Sequence, residues 1–107
     1  MPIGVVAQGT KEPMRVQIVD ADGAITDLSS SGPKFDVMDS ADVFKYGTSP
    51  GTYAGAQAAT AAGMVITCIV DTNNGGTWAE GEYRLFVWFT IAGNNIRKGP
   101  YFFDVIE

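Results

Sequence analysis

The sequence predicts an all-β fold, and more specifically an immunoglobulin-like antiparallel β-sandwich of about seven strands. Three observations carry this prediction. Several short segments alternate apolar and polar residues at period two, as a strand requires because its successive side chains point to opposite faces. Turn-forming residues separate these segments at close spacing. No segment holds a helical period over a length at which a helix would be stable.

Alternation and turn residues define the elements of the first two thirds of the chain. Met14, Val16 and Ile18 occupy one face of the first predicted strand, and Asp22-Gly23, within the turn over residues 21–24, is a strong tight-turn signal. In chain order, the predicted strands span residues 14–20, 34–39, 43–46 and 64–71 and the two arms of a hairpin within 78–107, with a short strand or bend at 25–28.

The C-terminal third predicts a β-hairpin that is central to its sheet. Five apolar residues alternate along its first arm and define the buried face: Tyr83, Leu85, Val87, Phe89 and Ile91. The turn is assigned to Gly93-Asn94-Asn95, because Gly and Asn tolerate the positive φ that a tight turn demands. The second arm runs to the last residue.

Residues 47–63 predict a long loop. Small residues dominate this segment and no period is visible in it. Two helical turns over residues 56–62 are the alternative, but an isolated helix that short is marginal in water. Because loops of this length are unusual in a compact domain and often make contacts, we expect an extended loop that is ordered against a partner.

Composition bounds the class of protein. The 107 residues, 46% of them hydrophobic, are expected to form one domain over residues 1–107 with its own core. With 12 acidic and 7 basic residues the net charge is -5. Binding to a phosphate backbone needs clustered positive charge, so neither nucleic acid nor an anionic membrane is an expected partner.

The chain contains no histidine, which excludes histidine-based nucleophilic catalysis and imidazole metal sites. Cys68 is the only cysteine, so the fold does not depend on an internal disulfide. The N-terminal residues lack the basic region and apolar run of a signal peptide, and no stretch is long enough to span a membrane. We therefore expect synthesis in a cytoplasm.

Two pairs of acidic residues are candidates for metal binding or catalysis. Asp20 and Asp22 have the first spacing of a calcium loop, but the closing glutamate after Gly23 is missing, which favours a hairpin turn. Glu80 and Glu82 could act as paired carboxylates, yet they flank a glycine at the start of a strand, where solvation is normal. The sequence therefore predicts no catalytic residue, no metal site and no cofactor.

A series of turn and strand signatures runs through most of the chain, from about Gly9 to Ile106. The signatures are Pro13-Met14-x-Val16-x-Ile18-x-Asp20, Asp22-Gly23, Asp27-Leu28, the strand with Phe35 and Val37, Met64-Val-Ile-Thr67, Glu80-Gly-Glu-Tyr83, residues 91–100 and Phe103-Asp-Val105. This pattern resembles the N-terminal domain of the phage baseplate upper protein family (BppU-like).

That resemblance implies an immunoglobulin-like domain in a virion tail or baseplate, attached by protein–protein contacts and without catalytic residues. We therefore expect a non-enzymatic bacteriophage virion structural protein, tail- or baseplate-located or capsid-attached. The expected partners are other virion proteins, and a homo-oligomer is expected in the assembled particle. The expected localisation is the virion.

Aromatic residues supply the candidate interface. Two of them fall on the outward face of the first hairpin arm beside a basic residue, and one lies in the predicted loop: Phe86, Trp88, Arg84 and Tyr53. An exposed apolar patch of this kind marks an interface. Two alternatives stay open. In the first, loops cover this face of the sheet or Trp88 belongs to the core. In the second, Trp78, Tyr53 and Trp88 form a carbohydrate- or cell-surface-binding platform.

Overall fold

The computed structural model describes residues 3–20, 22–47 and 51–107, and within them the chain is all-β. The strands are β1 (Val5–Ala7), β2 (Lys11–Gln17), β3 (Lys34–Met38), β4 (Phe44–Tyr46), β5 (Gln57–Ala58), β6 (Thr60–Ala62), β7 (Val65–Asp71), β8 (Gly81–Ile91) and β9 (Asn94–Ile106). No helix in the described part of the chain is long and apolar enough to cross a membrane.

The strands form two sheets. The larger has the order β1-β9-β8-β3-β4, with β5 also paired to β3, and the smaller has the order β2-β7-β6. The two-sheet, all-β prediction is confirmed, and the hairpin of β8 and β9 lies inside the larger sheet. The orders β2-β7-β6 and β9-β8-β3 are consistent with the B-E-D and G-F-C pairings of an immunoglobulin layout. One pair departs from the antiparallel prediction, because β1 runs parallel to β9.

One hydrophobic core lies between the sheets and draws on both. Its buried members are Val6, Met14, Val16, Ile18, Leu28, Phe35, Val37, Ile66, Cys68, Val70, Trp78, Tyr83, Leu85, Val87, Phe89, Phe103 and Val105. The predicted inward face of β8 is confirmed from Tyr83 to Phe89, whose exposed fractions are 3% and 2%. Ile91, at the end of the strand, is only partly buried.

Tyr83 fixes the start of β8. Its hydroxyl donates a hydrogen bond of 2.6 Å to the carbonyl oxygen of Ala79. Its ring stacks against Trp78 and Phe103, with centroid separations of 5.2 and 5.7 Å. Burial raises the pKa of the Tyr83 hydroxyl. A tyrosine that begins a strand and bonds to the backbone a few residues upstream resembles the tyrosine corner of immunoglobulin-like sandwiches.

The turn of the terminal hairpin lies one residue earlier than predicted. Its two loop residues are Ala92 and Gly93, with φ of 51° and 81°, and Asn94 already pairs with Ile91. Positive φ at both positions is the type I′ geometry, which matches the twist of the flanking strands. The prediction of Gly93-Asn94-Asn95 was wrong because an alanine was not expected to adopt a positive φ.

The predicted loop over residues 47–63 is corrected by the structure. β5 pairs with β3 and β6 pairs with β7, so the chain crosses from one sheet to the other at Ala59. The Ala59 N–H donates to the carbonyl oxygen of Pro33 at 2.9 Å. Ala59 and Ala61 pack against the core. Strands of two and three residues are too short to show a period, which is why the sequence predicted a loop; residues 48–50 lie outside the described residues.

Smaller differences complete the comparison. The short strand or bend at 25–28 is no strand, although Leu28 is fully buried and its N–H donates to the Gly63 carbonyl oxygen at 2.7 Å. β1 was not predicted, and with β5 and β6 it raises the number of described strands to nine rather than about seven. Residue 21, within the turn predicted over 21–24, lies outside the described part of the chain.

Candidate interaction face on the six-stranded sheet

The outer face of the larger sheet carries a cluster of aromatic and charged side chains. We call this set the outer-face cluster: Asp36, Tyr53, Phe86, Trp88 and Arg97. Phe86 and Trp88 point away from the core because they alternate with the buried residues of β8. Pairing places Asp36 of β3 opposite Phe86, and Arg97 of β9 opposite Trp88.

Asp36 is the buried centre of the cluster. Its side chain is 1% exposed, and its two carboxylate oxygens have different partners. Oδ1 accepts a hydrogen bond from Arg97 Nη2, and Oδ2 accepts one from Trp88 Nε1, each at 2.9 Å. A buried carboxylate is tolerated only where its charge and its lone pairs are satisfied, so Asp36 holds both partners in fixed positions.

Gly47 allows the backbone after β4 to pass close to this carboxylate. Its φ is 102°, a conformation that residues with side chains rarely adopt. A Cβ atom at this position would lie 2.7 Å from the Cβ of Asp36. The burial of Asp36 therefore depends on a glycine at residue 47.

Arg97 covers the aromatic faces. Its guanidinium carbon lies 3.8 Å from the ring centroid of Phe86 and 5.6 Å from that of Trp88. A cation over an aromatic face is attracted by the ring quadrupole. The side chain of Arg97 stays 31% exposed. The sheet thus presents a partly exposed guanidinium whose position is set by Asp36.

Tyr53 brings the segment that follows β4 onto the same face. Its hydroxyl donates to the Gly32 carbonyl oxygen at 2.6 Å. Its ring meets Trp88 edge-on, with 6.2 Å between centroids. Lys34 Nζ lies 4.4 Å from the Tyr53 ring centroid and donates to the Tyr53 carbonyl oxygen at 3.2 Å. Tyr53 is therefore anchored against the sheet.

The structure brings together three of the four residues predicted for the interface. Tyr53, Phe86 and Trp88 belong to the cluster, whereas Arg84 lies beside the turn between β3 and β4. There Arg84 Nη2 donates to the Asp39 carbonyl oxygen at 2.7 Å and forms an ion pair with Asp42. Arg84 is therefore committed to the turn and does not join the cluster.

The exposure predicted for the aromatics is corrected. Phe86 and Trp88 are half-buried, because Arg97 and Tyr53 cover part of their surfaces. Sequence reasoning missed Asp36 and Arg97 altogether. The available signal was an aspartate in the middle of a strand whose other residues indicate burial, since such a carboxylate needs a polar partner from a neighbouring strand.

The remaining candidate residues have structural roles in the described chain. Trp78 is 1% exposed and lies between Tyr46 and Tyr83, so it cannot serve in the carbohydrate platform that the sequence left open. Cys68 is fully buried, and burial raises the pKa of its thiol to about 12. Glu80 is exposed, as is Glu82, and both line a cavity of about 120 Å³ beside Asp39.

The carboxylate of Asp20 accepts hydrogen bonds from backbone N–H groups of the turn that follows it. The donors are the Ile25 N–H at 2.9 Å and the Asp22 N–H at 3.3 Å. These bonds, that from Ile25 most of all, lower the pKa of Asp20. Among the described residues no group of three or more His, Cys, Asp or Glu could hold a metal ion.

No protein-family model matches the chain, and neither a curated protein nor a solved structure matches it. The function is therefore argued from the outer-face cluster itself. The cluster joins a tryptophan, a tyrosine and an arginine, the three residue types most enriched at the energetic centres of protein interfaces. Four of its members lie on β3, β8 and β9, and Tyr53 is held against this sheet by its hydrogen bond to Gly32.

Proposed function

We propose that this chain is a non-enzymatic structural protein of a bacteriophage virion, placed in the tail or baseplate or attached to the capsid. It acts through protein–protein assembly contacts, has other virion proteins as partners and forms a homo-oligomer in the particle. Two things support the proposal: the resemblance to the BppU-like family, with its immunoglobulin-like layout, and the outer-face cluster, which offers a contact surface without groups arranged for catalysis.

The observation that carries the proposal is the buried Asp36 beneath Arg97 and Trp88. Association costs conformational entropy for every mobile side chain that becomes fixed. Here the arginine and the tryptophan are already fixed before any partner arrives. A surface with preorganised anchors of these types favours binding of a folded partner.

The exposed part of Arg97 sets the chemistry of the partner. One of its terminal nitrogens bonds to Asp36, and the guanidinium still has donors for a carboxylate. Lys34 adds a second positive charge beside Tyr53. A second copy of this chain can supply the carboxylate, because the chain has 12 acidic residues and several, including Glu80 and Glu82, are exposed.

Arg97→Lys tests the contact surface. The change keeps the positive charge near Asp36 but removes the planar fork that stacks on Phe86. Self-association is measured by sedimentation velocity over a wide range of concentration, and we expect it to weaken. The matched control is Arg15→Lys on β2, which makes the same chemical change at an exposed residue of the other sheet. Equal association of both variants would place the contact elsewhere.

Virion location is tested separately. Phage particles purified by density gradient from a host that carries the gene should contain this chain in a fixed ratio to the major structural proteins, as measured by quantitative mass spectrometry. Particles that lack the chain would refute the virion role, whatever the result of the sedimentation experiment.

A further inference from the structure

Two strand edges on one flank of the sandwich have no partner among the described strands. β2 has β7 on one side only, and β1 pairs with β9 only from Asp104 to Ile106. The edge of β9 over residues 94–101 therefore has no strand partner in the described part of the chain, and only the segment after β2 lies beside it, at Ile96 and Lys98. The two edges lie on the same flank, since Ile18, Ile96 and Lys98 line one cavity of about 170 Å³. Unpaired edges of this kind are templates for pairing with another chain.

The hydrogen bonds at the two ends of β2 show which of its backbone groups face the open side. The Thr72 N–H donates to the Thr10 carbonyl oxygen at 3.0 Å, and the Ile18 N–H donates to the Met64 carbonyl oxygen at 2.8 Å. Antiparallel partners alternate between bonded and non-bonded pairs. The backbone N–H and C=O groups of the even-numbered residues of β2 therefore point toward β7. The residues whose backbone groups point toward the open side are Lys11, Pro13, Arg15 and Gln17.

Pro13 lies among these four outward-facing residues and has no N–H. A chain that paired with β2 would find no donor at residue 13, so the run of edge hydrogen bonds would be interrupted between residues 11 and 15. Proline is confined to edge strands for this reason, and it is one means by which proteins prevent unwanted strand pairing.

Charge adds to this effect. Lys11 and Arg15 flank Pro13, and both side chains are exposed. Antiparallel pairing of β2 with its own copy would bring these like charges close together. The register between β8 and β9 also shifts, between Leu85 and Val87 of β8. This irregularity interrupts the edge of β9.

We infer that this flank is protected against strand pairing with a second copy of the same chain, and that Pro13 is the residue on which the protection of β2 depends. A second copy is the natural occupant, because antiparallel pairing of β2 with its own copy is self-complementary about a two-fold axis. β2 is also regular, with all seven residues in continuous register with β7. Copies of the chain must then contact each other through other surfaces.

The test is Pro13→Thr, which restores the missing N–H with a residue suited to strands. The control is Gln17→Thr, a neutral change at another outward-facing residue of β2 that already has its N–H. Two regained hydrogen bonds in a symmetric pair are expected to strengthen self-association at least about tenfold, measured by sedimentation equilibrium. Gln17→Thr should associate like the wild-type chain.

Hydrogen exchange locates the new contact. In associated Pro13→Thr, the amides of residues 13, 15 and 17 should exchange more slowly than in the monomer. Folding of each variant is checked by circular dichroism. An unchanged association constant for Pro13→Thr would overturn the inference. So would stronger association without protection of these amides, since the contact would then lie elsewhere.

Discussion

Replacement of Arg97 by methionine isolates the contribution of the ion pair at the centre of the outer-face cluster. Methionine keeps an apolar stem over Phe86 and removes the charge that faces Asp36. Among the described residues, the carboxylate of Asp36 is then left with the Trp88 N–H as its one side-chain partner. Loss of one partner of a fully buried ion pair costs about 3–5 kcal/mol. Because Arg97 is 31% exposed, we expect Arg97→Met to lower the free energy of unfolding by less, about 2–3 kcal/mol.

The measurement is urea denaturation of four chains: the wild type, Arg97→Met, Asp36→Asn and the double variant. Because Asp36→Asn removes the charge that Arg97 compensates, the second change should cost much less in the presence of the first. We expect a coupling energy of about 1–2 kcal/mol. Arg15→Met is the matched control on an exposed strand and should cost less than about 0.5 kcal/mol.

Two results would refute this reasoning. If Arg97→Met costs no more than Arg15→Met, the carboxylate of Asp36 does not depend on the guanidinium. If the costs of the two single changes add to the cost of the double variant, the two side chains do not stabilise each other, and the contact at 2.9 Å contributes nothing beyond packing.

Three further predictions address other parts of the fold. Tyr83→Phe removes the hydroxyl that bonds to Ala79 and should cost about 1 kcal/mol in urea denaturation, whereas a cost near zero would show that the tyrosine corner acts through its ring alone. Replacement of residues 57–62 by a Gly-Ser linker uncovers the edges of β3 and β7 and should lower the thermal midpoint by roughly 10 °C or more. An unchanged midpoint would show that this segment does not stabilise the fold. Burial raises the pKa of the Cys68 thiol from 9.0 to about 12. The thiol therefore loses its proton at a lower pH in the unfolded chain than in the folded chain. The stability contributed by the neutral thiol is lost as the pH rises from about 9 to 12. The wild-type chain should therefore lose more stability than Cys68→Val between pH 8 and pH 11, and parallel losses would contradict this assignment.

The elements that the sequence predicted are those in which one face is buried over many residues. β8 shows this best, because its inward residues from Tyr83 to Phe89 keep strict alternation and are all buried. The alternation in β2 and β7 is equally direct, with Met14 and Val16 in one strand and Ile66, Cys68 and Val70 in the other. In these strands the local pattern and the tertiary environment agree.

The elements that escaped prediction depend on contacts distant in sequence. β1, β5 and β6 have two or three residues each, and they are strands only because β9, β3 and β7 offer them edges. The outer-face cluster has the same origin, since Asp36 and Arg97 are 61 residues apart. The pairing of Arg97 with Trp88 follows from the turn at Ala92-Gly93, so the misplaced turn also concealed the partner of Trp88.

The segment from β5 to β6 has a consequence for how the sandwich can open. It ties one long side of the two sheets together, because its first strand belongs to one sheet and its second to the other. On the opposite side, the end of β2 and the start of β9 have no such tie, and the cavity beside Ile18, Phe89 and Ile96 lies there. We therefore expect transient separation of the sheets to begin at this corner. The core amides nearest the end of β2 and the start of β9 should then be those that exchange most rapidly.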